Sequence, residues 1–367
     1  MSRRLFLLNG LAILAVVCVH AAIWGEITIS WDLGCPFSVS NYDLIGALTY
    51  WGLTAIEGLS RFIVPAFLFV SGFFVSYAAR GIQSTLNWRT VRVRIKYIIV
   101  PYLIWSIVIF IGDALQGAPL SPAQYLLRLI WGKANPPYYY VPLVCQFYLL
   151  SPLIVPLART KGRLMLLVSV LMQLGVLGAS YYLGLVAETP DLEMVLRITR
   201  LPLFPAWGFF FMFGVVSSFH VEWLRRLSRF RWALFVATVV LASLVISESE
   251  VLYRATGDAW WRTTPLTMSS SLYATFFILC FLAFAWASVP FSRVFYQLNK
   301  RIFGIYLLHW KVLEFTVLAI VSIAPGIISY QIFLQLVLII LGVGVPVLFM
   351  ESVARSPAKK FYRYLFG

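Results

Sequence analysis

Residues 5–24 read Leu5-Phe-Leu-Leu-Asn9-Gly10-Leu-Ala-Ile-Leu-Ala-Val-Val-Cys18-Val-His20-Ala-Ala-Ile-Trp24, with Arg3 and Arg4 just ahead of them. The run carries no formal charge and is long enough to cross the hydrocarbon core of a bilayer as a helix. A secretory leader has a shorter apolar stretch and ends at a small-x-small cleavage site. Cys18-Val19-His20 is not such a site, so the run stays in the chain as a first membrane span.

The same texture continues to the other end. The 367 residues are 61% hydrophobic and 12% charged, with a mean hydropathy of +0.87. Soluble chains carry about a quarter of their residues as charges, so this one has about half the usual supply of polar surface. Ten spans follow from the apolar runs: 5–24, 59–79, 97–112, 138–157, 164–186, 201–219, 231–247, 267–288, 302–322 and 327–350. The expected fold is all-α, a polytopic helical membrane protein. Residues 1–350 form a single transmembrane domain, and 351–367 a short basic cytoplasmic tail. That leaves no room for a sizeable soluble catalytic domain, a secreted disulfide scaffold or a nucleic-acid-binding module.

The net charge of +15 is a matter of placement. Twenty-one of the 29 basic residues fall in the two tails and in alternate gaps between spans: Arg3 and Arg4; Arg80, Arg89, Arg92, Arg94 and Lys96; Arg159, Lys161 and Arg163; Arg225, Arg226, Arg229 and Arg231; Arg293, Lys300 and Arg301; Arg355, Lys359, Lys360 and Arg363. The positive-inside rule puts those segments, and both termini, in the cytoplasm. The other eight are Arg61, Arg128, Lys133, Arg197, Arg200, Arg254, Arg262 and Lys311, while twelve of the fourteen acids lie on or near the outer side. Cys18, Cys145 and Cys280 sit within spans and Cys35 alone outside, which yields no intrachain bridge across the outer face. No internal repeat or low-complexity run appears, nor the paired Gly/Pro-broken spans that mark many transporters. The long outer segments 25–58 and 113–137 are rich in Trp, Tyr, Pro and acids, a composition that serves as an interfacial belt and also suits sugar stacking.

Polar groups at membrane depth are costly and point to chemistry. His20 stands about 15 residues above Leu5, roughly 22 Å up the first span and so in its outer part. A neutral imidazole there can accept a proton from an alcohol; its structural alternative is a hydrogen bond between helices. His309, about 12 Å into the ninth span, reads as a structural polar contact. Lys311 and Glu314 follow it as an i,i+3 ion pair, and His309-x4-Glu314 only superficially echoes the His-x4-Asp motif of glycerolipid acyltransferases. His220, beside Glu222, reads as a solvated cytoplasmic residue. Arg89-Thr-Val-Arg92-Val-Arg94-Ile-Lys96 lies in the loop ahead of the third span, where four cations fix topology and contact anionic lipid. They also suit the phosphates of a cytosolic ligand such as coenzyme A.

The order of motifs resembles the acyltransferase-3 family of multi-pass membrane acyltransferases over nearly the whole chain. Gly10–His20 is similar to the family's first helix ending in its essential histidine. Ser60-Arg61-Phe-Ile-Val-Pro65-Ala-Phe-Leu-Phe-Val-Ser71-Gly72 resembles its second-helix pattern, and the basic run into Pro101-Tyr102-Leu-Ile-Trp105 its Arg-rich loop and third helix. Gln146-Phe-Tyr148-Leu-Leu-Ser-Pro152 and Arg301-Ile-Phe-Gly-Ile-Tyr306-Leu-Leu-His309 match the fourth-helix and late-helix patterns. The resemblance implies transfer of an acyl group, often acetyl, from cytosolic acyl-CoA to a hydroxyl of a carbohydrate-containing or lipid-linked acceptor in a bacterial plasma membrane. Acyl-CoA would be a co-substrate, with no tightly bound cofactor and no metal. His20 matches the general base, and Arg89, Arg92, Arg94 and Lys96 the donor-handling loop, with Asn9, Glu57, Arg61, Ser71, Tyr306 and His309 as supporting positions. Glu57 or Glu26 is expected to orient His20. Two departures stand out. Asn9 occupies a position where the family commonly has arginine, and Tyr138-Tyr139-Tyr140 replaces a His-Leu-Trp-like motif. An SGNH esterase-like domain, common in the family, is not expected. The rival classes are a proton-coupled carrier using His20 or His309, whose activity would not depend on CoA, and a non-catalytic scaffold, in which neither histidine nor arginine cluster matters beyond folding.

Overall fold

The uncharged run after Arg4 folds as one helix, α1 (Ser2–Leu33). At 1.5 Å per residue it is about 48 Å long, longer than the hydrocarbon core, and so emerges from it. The computed structural model describes residues 2–34, 37–38, 41–78, 87–186, 190–284 and 287–367; Cys35 and Arg80 lie outside them. Helix α2 (Ala47–Leu59) passes through a single 3-10 turn, Ser60–Phe62, into α3 (Ile63–Ala78). There follow α4 (Trp88–Leu115), α5 (Tyr140–Val186), α6 (Phe204–Phe219), α7 (Arg231–Thr256), α8 (Met268–Ala283), α9 (Ile302–Ile323) and α10 (Gln331–Arg355). Short helices decorate the connections, and no strand occurs among the described residues.

Nine helical stretches among the described residues are long and apolar enough to cross a membrane. One of them, Pro136–Val186, makes two crossings. Lys161 interrupts it with φ −130° and ψ 37°. Gln146 Nε2 donates to Pro202 O at 2.9 Å, and Ser180 Oγ donates to Thr199 Oγ1 at 2.8 Å. Residues 146 and 180 would be about 51 Å apart along a straight helix, yet both touch the short segment 199–202. The helix therefore doubles back near Lys161, and its limbs are the predicted spans 138–157 and 164–186. Ten crossings result among the described residues, and an even number puts residues 2 and 367 on the same face.

Two sequence expectations are corrected. The second crossing begins near Ala47 rather than at 59, because α2 and α3 stack end to end through the Ser60–Phe62 turn. The basic run from Arg89 to Lys96 is not a loop: it occupies the first turns of α4, started by Asn87, whose side chain accepts from Arg89 N at 3.0 Å.

Small residues set the closest crossings. A Cβ added to Gly72 on α3 would overlap Phe211 O on α6, and one added to Gly214 would overlap Phe69 O. The two glycines thus let the backbones touch, as small residues do between membrane helices. Ser76 and Ser218 continue the seam with a 2.6 Å hydroxyl contact. On the cytoplasmic side α1 packs at Gly10 against the backbone of Phe295, in the helix Ser292–Asn299, and Arg4 Nε donates to Phe281 O near the end of α8. The tail reaches the same face: Trp105 Nε1 donates to Leu365 O at 2.9 Å, and Phe366 is buried.

These contacts fix depth. Gly10 lies level with residue 295, just before the Arg301 start of α9. Counted from there, His20 stands about 15 Å up α1 and His309 about 12 Å up α9. His20 is therefore near the middle of the roughly 30 Å core. Counting from Leu5 placed it too far out, because the first turns of α1 lie against the cytoplasmic helix 292–299.

Candidate functional site

His20 and His309 meet at that depth. His20 Nδ1 lies 2.8 Å from His309 Nε2, and the rings stack with centroids 5.0 Å apart. His309 Nδ1 is 3.0 Å from Ile305 O, one turn earlier on α9. A carbonyl can only accept, so for neutral rings Nδ1 of His309 carries the proton and its Nε2 accepts. His20 then donates through Nδ1, which leaves its Nε2 with a free lone pair. That nitrogen has no hydrogen-bond partner among the described residues, and His20 lines a cavity of about 360 Å³. Trp310 meets the His20 ring edge-on, with centroids 5.1 Å apart.

This cavity wall is held by reciprocal bonds. Tyr306 Oη donates to Pro137 O at 2.6 Å, and Tyr138 Oη donates to Leu307 O at 2.7 Å. Together they clamp α9 against the turn that opens α5. That turn presents Tyr139 and Tyr140 to the cavity, where Tyr306 and Trp310 also lie.

A buried charge cluster closes the outer wall. Arg262 Nη1 donates to Phe37 O at 2.8 Å, and its Nη2 donates to Glu26 Oε1 at 3.1 Å. Glu250 Oε1 is 3.5 Å from Arg262 Nε, and Glu57 Oε2 is 3.9 Å from Nη2. Arg61 Nη2 donates to Arg262 O. Arg61 and Glu57 both line the cavity, and Arg61 Nε and Glu57 Oε1 are buried without hydrogen-bond partners. Burying so many charges is stable only because they pair with one another.

The structure brings His20, His309, Tyr306, Arg61 and Glu57 together. It corrects the expectation that Glu57 or Glu26 orients His20. Glu26 lies six residues further along α1, roughly 240° around the helix, and is taken by Arg262; His309 is the partner. The His309-x4-Glu314 echo also fails, since Glu314 pairs with Lys311 at 3.0 Å. His309 is more than a packing contact: it engages the histidine that faces the cavity. Ser71 sits one turn cytoplasmic of the cavity-lining Phe67 on α3 and does not itself line the cavity. Asn9, about 16 Å below His20, does not touch the pair; its Oδ1 is buried and unpartnered. Arg89, Arg92 and Lys96 are exposed at the cytoplasmic start of α4, whereas Arg94 turns inward with its Cζ 5.9 Å from the Tyr148 ring centroid. His220 is exposed, as expected.

Sequence reasoning missed Trp310, Tyr139, Tyr140, Glu250 and Arg262. The last two carried a usable signal, since charges flanking or within apolar runs mark function when they are buried.

A second cavity, of about 580 Å³, shares Pro136, Tyr139, Thr263 and Pro265 with the first and lies to its outer side.

A family model, Acyl_transf_3, described as an acyltransferase domain, matches residues 5–351. The probable poly-beta-1,6-N-acetyl-D-glucosamine export proteins of Staphylococcus aureus strains Mu50 and MRSA252 are each 22% identical over 263 residues. The aligned region covers 71% of this chain and 71% of theirs. No solved structure matches.

Proposed function

We propose a function from the premise that this chain belongs to the acyltransferase-3 family, whose model covers residues 5–351: it is an integral membrane O-acyltransferase that moves an acyl group, acetyl in the simplest case, from cytosolic acyl-CoA to a hydroxyl of a carbohydrate-containing acceptor. The observation that carries the reading is the free Nε2 of His20 on a cavity wall, in a tautomer fixed by His309.

The acceptor hydroxyl enters from the outer side and hydrogen-bonds to His20 Nε2. As its oxygen attacks the thioester carbonyl carbon, Nε2 takes the proton, and His309 Nε2 holds the resulting imidazolium through its bond to Nδ1–H. The carbonyl oxygen becomes an oxyanion. Arg61 is the cation on this wall among the described lining residues, and we assign it that charge. Collapse breaks the C–S bond, and the proton on Nε2 passes to the CoA sulfur. The products are an ester and free CoA, and both histidines return to their starting forms.

On the cytoplasmic side Arg89, Arg92, Arg94 and Lys96 are the candidate partners for the CoA phosphates. Arg94, with its Cζ 5.9 Å from the Tyr148 ring centroid, is the one of the four that reaches inward. The acceptor approaches from the outer leaflet of a bacterial plasma membrane.

The test is thermal stabilisation of the purified protein by acetyl-CoA, compared with CoA and a dephosphorylated analogue, in wild type and in Arg92→Ala and Arg94→Ala. A ligand of the folded state raises the melting temperature by mass action. A rise with acetyl-CoA that both substitutions weaken supports the donor site; no rise with any of several acyl-CoAs overturns the reading. The relatives' name supports a second reading, passage of a glycan across the membrane. It predicts glycan movement in vesicles that is independent of CoA and insensitive to His20→Ala.

A further inference from the structure

Of the eight basic residues that do not serve the inside-positive pattern, four have their charge met elsewhere. Arg61 and Arg262 belong to the buried cluster, the exposed Arg254 meets its Glu250 at 3.9 Å, and Lys311 pairs with Glu314 and Asp113. Three others, Lys133, Arg197 and Arg200, line the 580 Å³ outer cavity, among three tryptophans: Trp131, Trp207 and Trp260.

Their pairing is incomplete. Arg200 stacks on Trp260, with Cζ 4.2 Å from the ring centroid, and its Nη1 lies 2.6 Å from Asp258 Oδ2. Its Nε and Nη2 are buried and have no hydrogen-bond partner. Arg197 meets Glu193 at 3.7 Å in an exposed pair worth little. Lys133 has no ion pair among the described residues. The Asn135 amide oxygen and the Trp207 indole N–H, in residues only 2% and 3% exposed, are likewise unpartnered at the wall. Gly132 makes the rim possible. Its φ of 66° ends the helix Pro122–Trp131 in a left-handed turn, and a Cβ there would collide with the Tyr138–Tyr139 backbone.

We propose that this vestibule is the acceptor subsite and that it selects a glycan bearing an anionic group, a carboxylate or a phosphate. The tryptophan faces suit the C–H faces of a pyranose, while a stacked guanidinium with free edge donors suits a planar or tetrahedral anion. A neutral glycan would leave Arg200 Nε and Nη2 unmet and Lys133 without an ion pair. The inference rests on the acyl-transfer reading, for which the residues shared with the His20 cavity form the acceptor's way in.

The test uses the full chain in nanodiscs and three tetrasaccharides of equal length: one neutral, one containing uronic acid, and one carrying a phosphate at its reducing end. Binding is measured by calorimetry at low and high salt, with acetyl-CoA stabilisation measured alongside. At least one charged tetrasaccharide should bind about tenfold tighter than the neutral one, and which of them does identifies the source of the charge. Arg200→Gln and the exposed Lys133→Gln should each erase most of that preference, and salt should weaken it. Equal binding of all three, no binding, or charged binding unchanged in both variants overturns the proposal. Acetyl-CoA binding without charge discrimination sinks the vestibule alone, whereas charged-glycan binding without any acyl-CoA effect sinks the transfer reading and leaves the subsite standing.

Discussion

His20 and His309, 289 residues apart in the chain, share a 2.8 Å hydrogen bond between Nδ1 of the first and Nε2 of the second. A third group, the Ile305 carbonyl, fixes the direction of that bond. On the proposed mechanism the order is base, orienter and anchor, with the base on a cavity wall.

The pair is expected to divide its work unequally. His20→Ala should lower transfer by about 10²- to 10⁴-fold, the usual contribution of a general base. His309→Ala should lower kcat by a smaller factor, with little change in acceptor KM, and His309→Asn should recover part of it by supplying an acceptor. Steady-state kinetics in membranes checks this; full activity in His20→Ala refutes the assignment.

Arg61→Met should leave acetyl-CoA binding intact while lowering kcat by about 10²-fold, the size of effect seen when one oxyanion donor is removed. A variant that loses acyl-CoA binding instead would move Arg61 from the reacting oxygen to the donor site. Kinetics paired with thermal shift separates the two.

The buried cluster should be a stability element. Removing the guanidinium in Arg262→Ala leaves Glu26, Glu57 and Glu250 without their common partner, a loss of about 3–5 kcal/mol. Unfolding of the purified variant in graded denaturing detergent measures it, and an unchanged transition would mean the carboxylates are not held by Arg262.

The glycine seam gives a packing prediction. Gly72→Ala and Gly214→Ala each push a methyl into the backbone of the facing helix and should cost about 1–3 kcal/mol. The double variant should cost less than the sum, since the first substitution already parts the helices.

Much of this was legible before the coordinates. Uncharged runs give the crossings because the bilayer demands about twenty apolar residues, and the arginine placement gives their direction. His20 was singled out for the same reason, as an ionisable group in such a run. What the sequence hid was partnership. His309 looked like a packing contact because pairing across 289 residues leaves no periodic trace. Glu26 and Glu57 looked available because their commitment to Arg262 depends on three helices converging. The doubling back at Lys161 follows from Arg159, Lys161 and Arg163, whose charge outweighs the helical continuity around them.

The depth of the histidine pair has a consequence for the cell. On the proposed reading, a reaction centre about 15 Å from the cytoplasmic level would take one opening from each aqueous phase, each piercing half of the membrane's insulation. Two such openings joined end to end would short-circuit the membrane potential. On that reading the tyrosines that line the cavity at the junction, Tyr139, Tyr140 and Tyr306, would be the cell's electrical seal as well as the walls of a pocket, and widening it with small side chains should cost the host its proton gradient.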